Sequence, residues 1–149
     1  MEAIEFDDLK NHVGEETGVS DWVEITQERV NTFADATGDH QWIHVDVEKA
    51  TELMGGPIAH GYLTLSLIPY LGMGMRPIKG VTRGINYGCN KVRFTNMVPV
   101  GSKVRMRQTL KAIDEKAGGL LMTNECVIEI EGQERPACIA ETLSVIYNT

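Results

Sequence analysis

The segment "GDHQWIH", Gly38 to His44, puts one carboxylate and two imidazoles within seven residues, next to the large side chains Trp42 and Ile43. Three readings compete for it. His40 and His44 are four apart, the spacing that sets two zinc ligands on one face of a helix. No HExxH pattern accompanies them, and Gly38 is expected to end the preceding helix before His40. A second reading is a polar corner, with Asp39 accepting backbone N–H bonds and His44 half-buried and satisfied. The third is acid–base catalysis. An Asp and a His a few residues apart in a loop can hold one water between them, the carboxylate taking its proton and the imidazole orienting it or giving one back. Such a pair suits addition of water to a double bond, or the reverse elimination.

Addition next to a carbonyl also needs a group to hold the enolate oxygen, and "AHGY", Ala59 to Tyr62, offers one. Gly61 lies near the start of an apolar segment, where unpaired N–H groups and the positive end of a helix dipole favour an anion. Glycine there lets a ligand come close to the backbone. An oxyanion donor contributes about 3 kcal/mol and a placed acid–base group roughly 10²–10⁴-fold in rate. Plain helix packing is the competing reason for a glycine at 61.

These residues need elements to position them. "DWVEIT" (Asp21 to Thr26) alternates and reads as a short strand. Thr26 then caps a helix through "QERVNTFADAT", whose Val30, Phe33, Ala34 and Thr37 share one face; Gly38 is its C-cap. The GDHQWIH loop follows, and Asp46 caps a second short helix, "VEKATELM". "GGP" breaks the chain at Gly55 to Pro57. From Ile58 to Met75 the chain is almost uncharged, which predicts a helix buried on nearly all sides and kinked or ended at Pro69. Period-two alternation marks strands over Lys103–Asp114, Leu120–Glu131 and Ala137–Asn148, with a glycine-interrupted strand over Val81–Phe94. Residues 1–20 are polar and expected at the surface. The fold class is α+β, an antiparallel sheet able to wrap a buried helix.

The totals agree with a single domain over residues 1–149, and 42% of the residues are hydrophobic. A domain of this size buries roughly two-thirds of its unfolded surface and needs no metal or disulfide to fold. Net charge is −7, which argues against general nucleic-acid binding, although the basic residues concentrate between Arg76 and Lys111 and could meet a phosphorylated ligand. Cys89, Cys126 and Cys138 form no CxxC pair; buried structural thiols in a reducing compartment are expected. With no signal-like start and no apolar run near the ~20 residues that cross a bilayer, the expected setting is cytoplasmic, away from membranes. No metal and no cofactor is assigned.

"FADATGDHQWIHVD", then "GGPIAHGYLTLSLI" and "INYGCNKVRFTNMVPVGSKVR", together resemble the MaoC-like, hydratase-2 group, including its NodN-like members. The resemblance runs over Val30 to Arg107 in three motifs of matching order. It implies a hot-dog fold, an antiparallel sheet wrapped around a long central helix, and (R)-specific enoyl-CoA hydratase or 3-hydroxyacyl-CoA dehydratase activity. It also implies a catalytic dyad of Asp39 and His44, with the Gly61 N–H as oxyanion donor. Asp39 would act as base on the water while His44 binds the same water and helps deliver the proton to C2. Where the common motif has Asn and Pro, this chain has Gln41 and Trp42, so the bulky Trp42 reshapes the loop or the acyl pocket.

By the same resemblance the substrate is an acyl-CoA or acyl-carrier-protein thioester. Tyr62 and Ser66, with Leu63, Leu65 and Leu67, are candidates to line the acyl chain, and Lys91 and Arg93 to meet the CoA phosphates. Pairing as a homodimer is expected, which would cover an exposed strand edge. Two other readings share the fold: a non-catalytic acyl-thioester binding module, and a hot-dog thioesterase. The thioesterase usually carries its carboxylate on the central helix, and no Asp or Glu occurs between Ile58 and Met75.

Overall fold

The structure is a computed structural model describing residues 1–149. Its first twenty residues depart from the surface expectation. A two-residue strand, β1 (Ile4–Glu5), leads into a 3-10 turn over Phe6–His12 and then β2 (Glu16–Val19). Ile4 and Leu9 are buried, and with Leu110, Ile113 and Ile146 they form a core cluster of their own. Two apolar residues in a polar run gave no period to read, yet they close one end of the sheet. The next strand, β3 (Val23–Glu24), is shorter than the alternation predicts.

The helical middle follows its caps. Helix α1 (Gln27–Thr37) starts at Thr26, whose Oγ1 accepts from Arg29 N–H, and ends at Gly38 in the left-handed conformation with φ 86°. Val30 and Ala34 are fully buried on its inner face. The loop after Gly38 contains one helical turn, α2 (Trp42–Val45), and Asp46 caps α3 (Val47–Met54) by accepting from Lys49 N–H.

The apolar segment is not one continuous helix. It is α4 (Gly61–Ser66), then α5 (Ile68–Leu71) with Pro69 in its first turn, then a 3-10 turn over Gly72–Gly74. Proline is tolerated at a helix start because the missing N–H has no intrahelical acceptor there. The run is buried on one side only: Leu63, Thr64, Leu67, Ile68 and Leu71 face the core, while Tyr62, Ser66, Tyr70 and Met73 are exposed. No helix of the chain is long and apolar enough to cross a membrane.

After β4 (Ile78–Lys79), which pairs with β1, come the long strands β5 (Arg83–Arg93), β6 (Lys103–Lys116), β7 (Gly119–Ile130) and β8 (Cys138–Tyr147). Their antiparallel order is β2-β6-β7-β8-β5, with β3 also on β6. Register shifts in β5 fall between Asn86 and Gly88, where glycine was expected to interrupt it, and between Cys89 and Lys91, where none occurs. The sheet curves around the α4–α5 run, and the larger core cluster lies between them, with Leu67 and Leu71 from the helices and Met106 and Ile128 from the sheet among its members. This is the hot-dog arrangement.

Two of the three cysteines are the buried thiols expected; Cys89 is exposed on β5 instead. Burial pushes Cys126 and Cys138 up to about 11. Alkylation at neutral pH is therefore expected to spare both until the protein is unfolded, because only thiolate reacts. Modification of either in the native protein, read by mass spectrometry, would contradict this placement.

Candidate active site

The αL turn at Gly38 throws the chain off the end of α1, and two bonds at Asp39 fix the new direction. Its Oδ1 accepts from Gln41 N–H at 3.3 Å and its backbone carbonyl accepts from His60 Nε2–H at 3.0 Å. The turn of α2 then points His44 inward, where it is 6% exposed. Gln27 anchors that turn by donating to the His44 carbonyl at 2.8 Å. Asp39 stays exposed at the surface, its carboxylate reachable from solvent.

A backbone carbonyl can only accept, so the bonds assign both imidazole tautomers. His44 Nδ1–H donates to the Ile58 carbonyl at 2.6 Å, which leaves Nε2 bare as an acceptor. His60 uses Nε2–H on Asp39, which leaves its Nδ1 bare, buried and without a partner. The two rings stack at 3.8 Å with 23° between planes, and Phe33 covers the other side of His60 at 4.9 Å. One ligating atom from each of Asp39, His44 and His60 lies within 4.8 Å of the other two. A gap of that size admits one water with bonds of about 2.8 Å to both sides.

The same three residues invite the metal question. Nearly parallel stacked rings send their in-plane lone pairs alongside one another, whereas zinc at about 2.0 Å needs them to converge. The geometry suits a water better than an ion. His40, the other member of the four-residue spacing, turns away and pairs with Asp35 at 2.9 Å. The Asp35 carboxylate holds its imidazole above the ordinary histidine value.

Gly61 is the first residue of α4, so its N–H has no intrahelical acceptor. Together with His44 it lines a cavity of about 400 Å³ whose other walls include Thr64, Phe94, Asn96 and Arg135. The Phe94 ring lies so close that a Cβ at position 61 would sit 3.0 Å from it. His44 and the Gly61 N–H thus share one cavity, while Asp39 lies outside its lining.

The other expected residues are scattered. Trp42 is half-buried beneath the Lys49 ammonium, 4.7 Å from its ring, and lines neither this cavity nor the larger one described below. Tyr62 is exposed and meets the Phe94 ring edge-on at 5.8 Å. Ser66 lines the larger cavity, its hydroxyl bonded to the Tyr62 carbonyl at 2.6 Å. Lys91 and Arg93 are exposed on β5, and neither lines either of these two cavities. Arg135, which does, sits in a turn that the sequence marks only as a turn. His60 was in plain view beside Gly61, but nothing in its spacing says that it would hold the Asp39 backbone.

Comparison with known proteins decides the family. The MaoC like domain model matches residues 8–128. The chain belongs to the MaoC-like dehydratase family. The match spans both the Gly38–His44 loop and the turn before α4. Membership places this MaoC-like chain among the hydro-lyases, enzymes that add or remove water. It is 52% identical over 138 residues to 3-hydroxyacyl-thioester dehydratase Z of Mycobacterium tuberculosis, covering 91% of each chain. It is 41% identical over 150 residues to Nodulation protein N of Rhizobium leguminosarum, covering 98% of this chain and 93% of that one. Among solved structures, the (R)-hydratase from A. caviae involved in PHA biosynthesis superposes with TM-score 0.72 at 26% identity, covering 89% and 94%.

Proposed function

We propose that the whole chain acts as one domain that reversibly hydrates trans-2-enoyl thioesters to (R)-3-hydroxyacyl thioesters, with Asp39 and His44 as the acid–base pair and the Gly61 N–H as oxyanion donor. The observation that carries it is the cluster of the Asp39 carboxylate with the His44 and His60 imidazoles, one ligating atom of each within 4.8 Å of the other two, together with a His44 Nε2 left bare by the Nδ1 bond to Ile58. A water there donates both hydrogens and keeps its lone pairs free for C3. Its O–H bond breaks as the C3–O bond forms, and the dyad carries the proton on to C2. Meanwhile the thioester oxygen gains charge as an enolate, which the Gly61 N–H stabilises.

The thioester is acyl-CoA or acyl-carrier-protein bound, in the cytoplasm. Arg135 is the cation placed to meet a phosphate at the cavity, and Lys91 and Arg93 stand further out on β5. Mixing the protein with crotonyl-, octenoyl- and dodecenoyl-CoA tests the reaction. Loss of enoyl-thioester absorbance with (R)-3-hydroxyacyl-CoA as product is expected. Free thiol instead would mean a thioesterase, and an unchanged trace on every substrate would mean a binding module.

The working unit is a homodimer. Strand β5 pairs only with β8, so its other edge is open, and Ile85, Tyr87 and Phe94 are exposed along it. Tyr62 and Met73 add 69% and 81% exposed apolar surface from the helical run. An open apolar edge of this kind is a pairing site. Light scattering should give twice the chain mass; a single-chain mass at assay concentration would overturn the dimer.

A further inference from the structure

The concave face of the sheet is apolar at both ends and polar across its middle. Met106, Ile128 and Ile130 belong to the larger core cluster at one end, and Leu110 and Ile113 to the smaller at the other. Between them, the inward row of β7 reads Met122, Asn124, Cys126. Beside it stand Gln108 on β6, opposite Cys126, and Thr142 on β8, opposite Asn124. A cavity of about 720 Å³ lies over this band, with Leu65, Ile68 and Gly72 of the helical run on its far wall. That volume falls within the roughly 300–1,000 Å³ of small-molecule sites.

Asn124 is the anomaly. Its side chain lines the cavity, the residue is 6% exposed, and its Oδ1 is buried with no hydrogen-bond partner. Its neighbours are engaged: Gln108 Nε2 donates to Thr17 Oγ1 at 3.0 Å, and Thr142 Oγ1 lies 3.7 Å from the Cys126 thiol. A buried acceptor without a donor forfeits its hydration, so such groups are rare without a reason. An alkyl chain in the cavity leaves the amide unpaired. A hydroxyl can pair with the Asn124 amide, whose oxygen and nitrogen exchange places by a half-turn of the side chain, and with the Thr142 hydroxyl.

The cavity is placed to receive a substrate. Both cavities lie along the same helical run, Gly61 and Thr64 lining the reactive one and Leu65, Ile68 and Gly72 the larger.

We propose that Asn124, with Thr142, makes this enzyme select acyl thioesters whose chain carries a hydroxyl group remote from the reacting carbons. The inference rests on the acyl-thioester reading above. The test compares hexenoyl-, octenoyl- and decenoyl-CoA with their ω-hydroxy counterparts, reading kcat/KM for hydration. Calorimetry with the corresponding saturated acyl-CoAs reads binding independently of turnover. At one chain length the hydroxyl should favour the substrate by roughly tenfold, one good hydrogen bond. Asn124→Leu should abolish the preference. Thr142→Val, which changes fewer atoms, should reduce it if the Leu variant fails to fold.

Hydration of both series without preference overturns the hydroxyl selection and leaves the hydratase. No hydration, with a hydroxyl preference in binding that Asn124→Leu removes, leaves the selection and overturns the hydratase. No hydration and equal binding overturn both. A preference that persists in both variants removes Asn124 and Thr142 from the role.

Discussion

Asp39→Asn should lower kcat for enoyl-CoA hydration by roughly 10²–10⁴-fold, the range for loss of a placed base, with little change in KM. The amide keeps an oxygen for the Gln41 N–H, and the backbone carbonyl still accepts from His60, so the loop should hold its shape. What disappears is the capacity to take a proton. Because Asp39 is exposed and the amide can keep these bonds, the melting temperature should move little. A loss of activity accompanied by unfolding would mean that the residue is structural. His44→Ala should cost a similar factor in rate but also some stability, since it removes a ring stacked on His60 and a bond to Ile58.

Gly61→Pro should cost roughly 10²–10³-fold in kcat, the range for loss of one oxyanion donor. Proline fits the first position of a helix, and His60 before it is already extended at φ −60°, ψ 138°, as a residue preceding proline prefers. The substitution deletes one N–H and keeps α4. Proline also adds a Cβ against Phe94, so Gly61→Ala is the control: it meets the same ring at 3.0 Å but keeps the donor. The atoms met are those of a side-chain ring rather than backbone, so the alanine variant, which keeps the donor, should lose much less. Equal losses in the two would assign the effect to crowding and remove the N–H from the mechanism.

The sequence shows most of the scaffold because local signals and tertiary packing agree there. Thr26, Gly38 and Asp46 cap where their types predict, and β6, β7 and β8 follow their alternation to within two or three residues at each end. The apolar run fails as one all-round buried helix because absence of charge does not distinguish a face turned to the core from one left open at the surface. Tyr62, Tyr70 and Met73 lie on that open face. Asp39, His44 and Gly61 were legible by type and spacing. Their convergence was not, since it depends on His60 holding the Asp39 carbonyl across 21 residues of chain. Lys91 and Arg93 carry charge near the motifs, yet both lie outside the cavity that Arg135 lines.

The central claim is that Asp39 and His44 act on one water as a unit. It is tested most directly by kcat/KM on one enoyl-CoA for wild type, Asp39→Asn, His44→Ala and the double variant, in one assay. Residues that work as a unit lose activity non-additively. The account predicts a double variant within about tenfold of the worse single one. Losses that multiply, or a wild type with no hydration to lose, would contradict it.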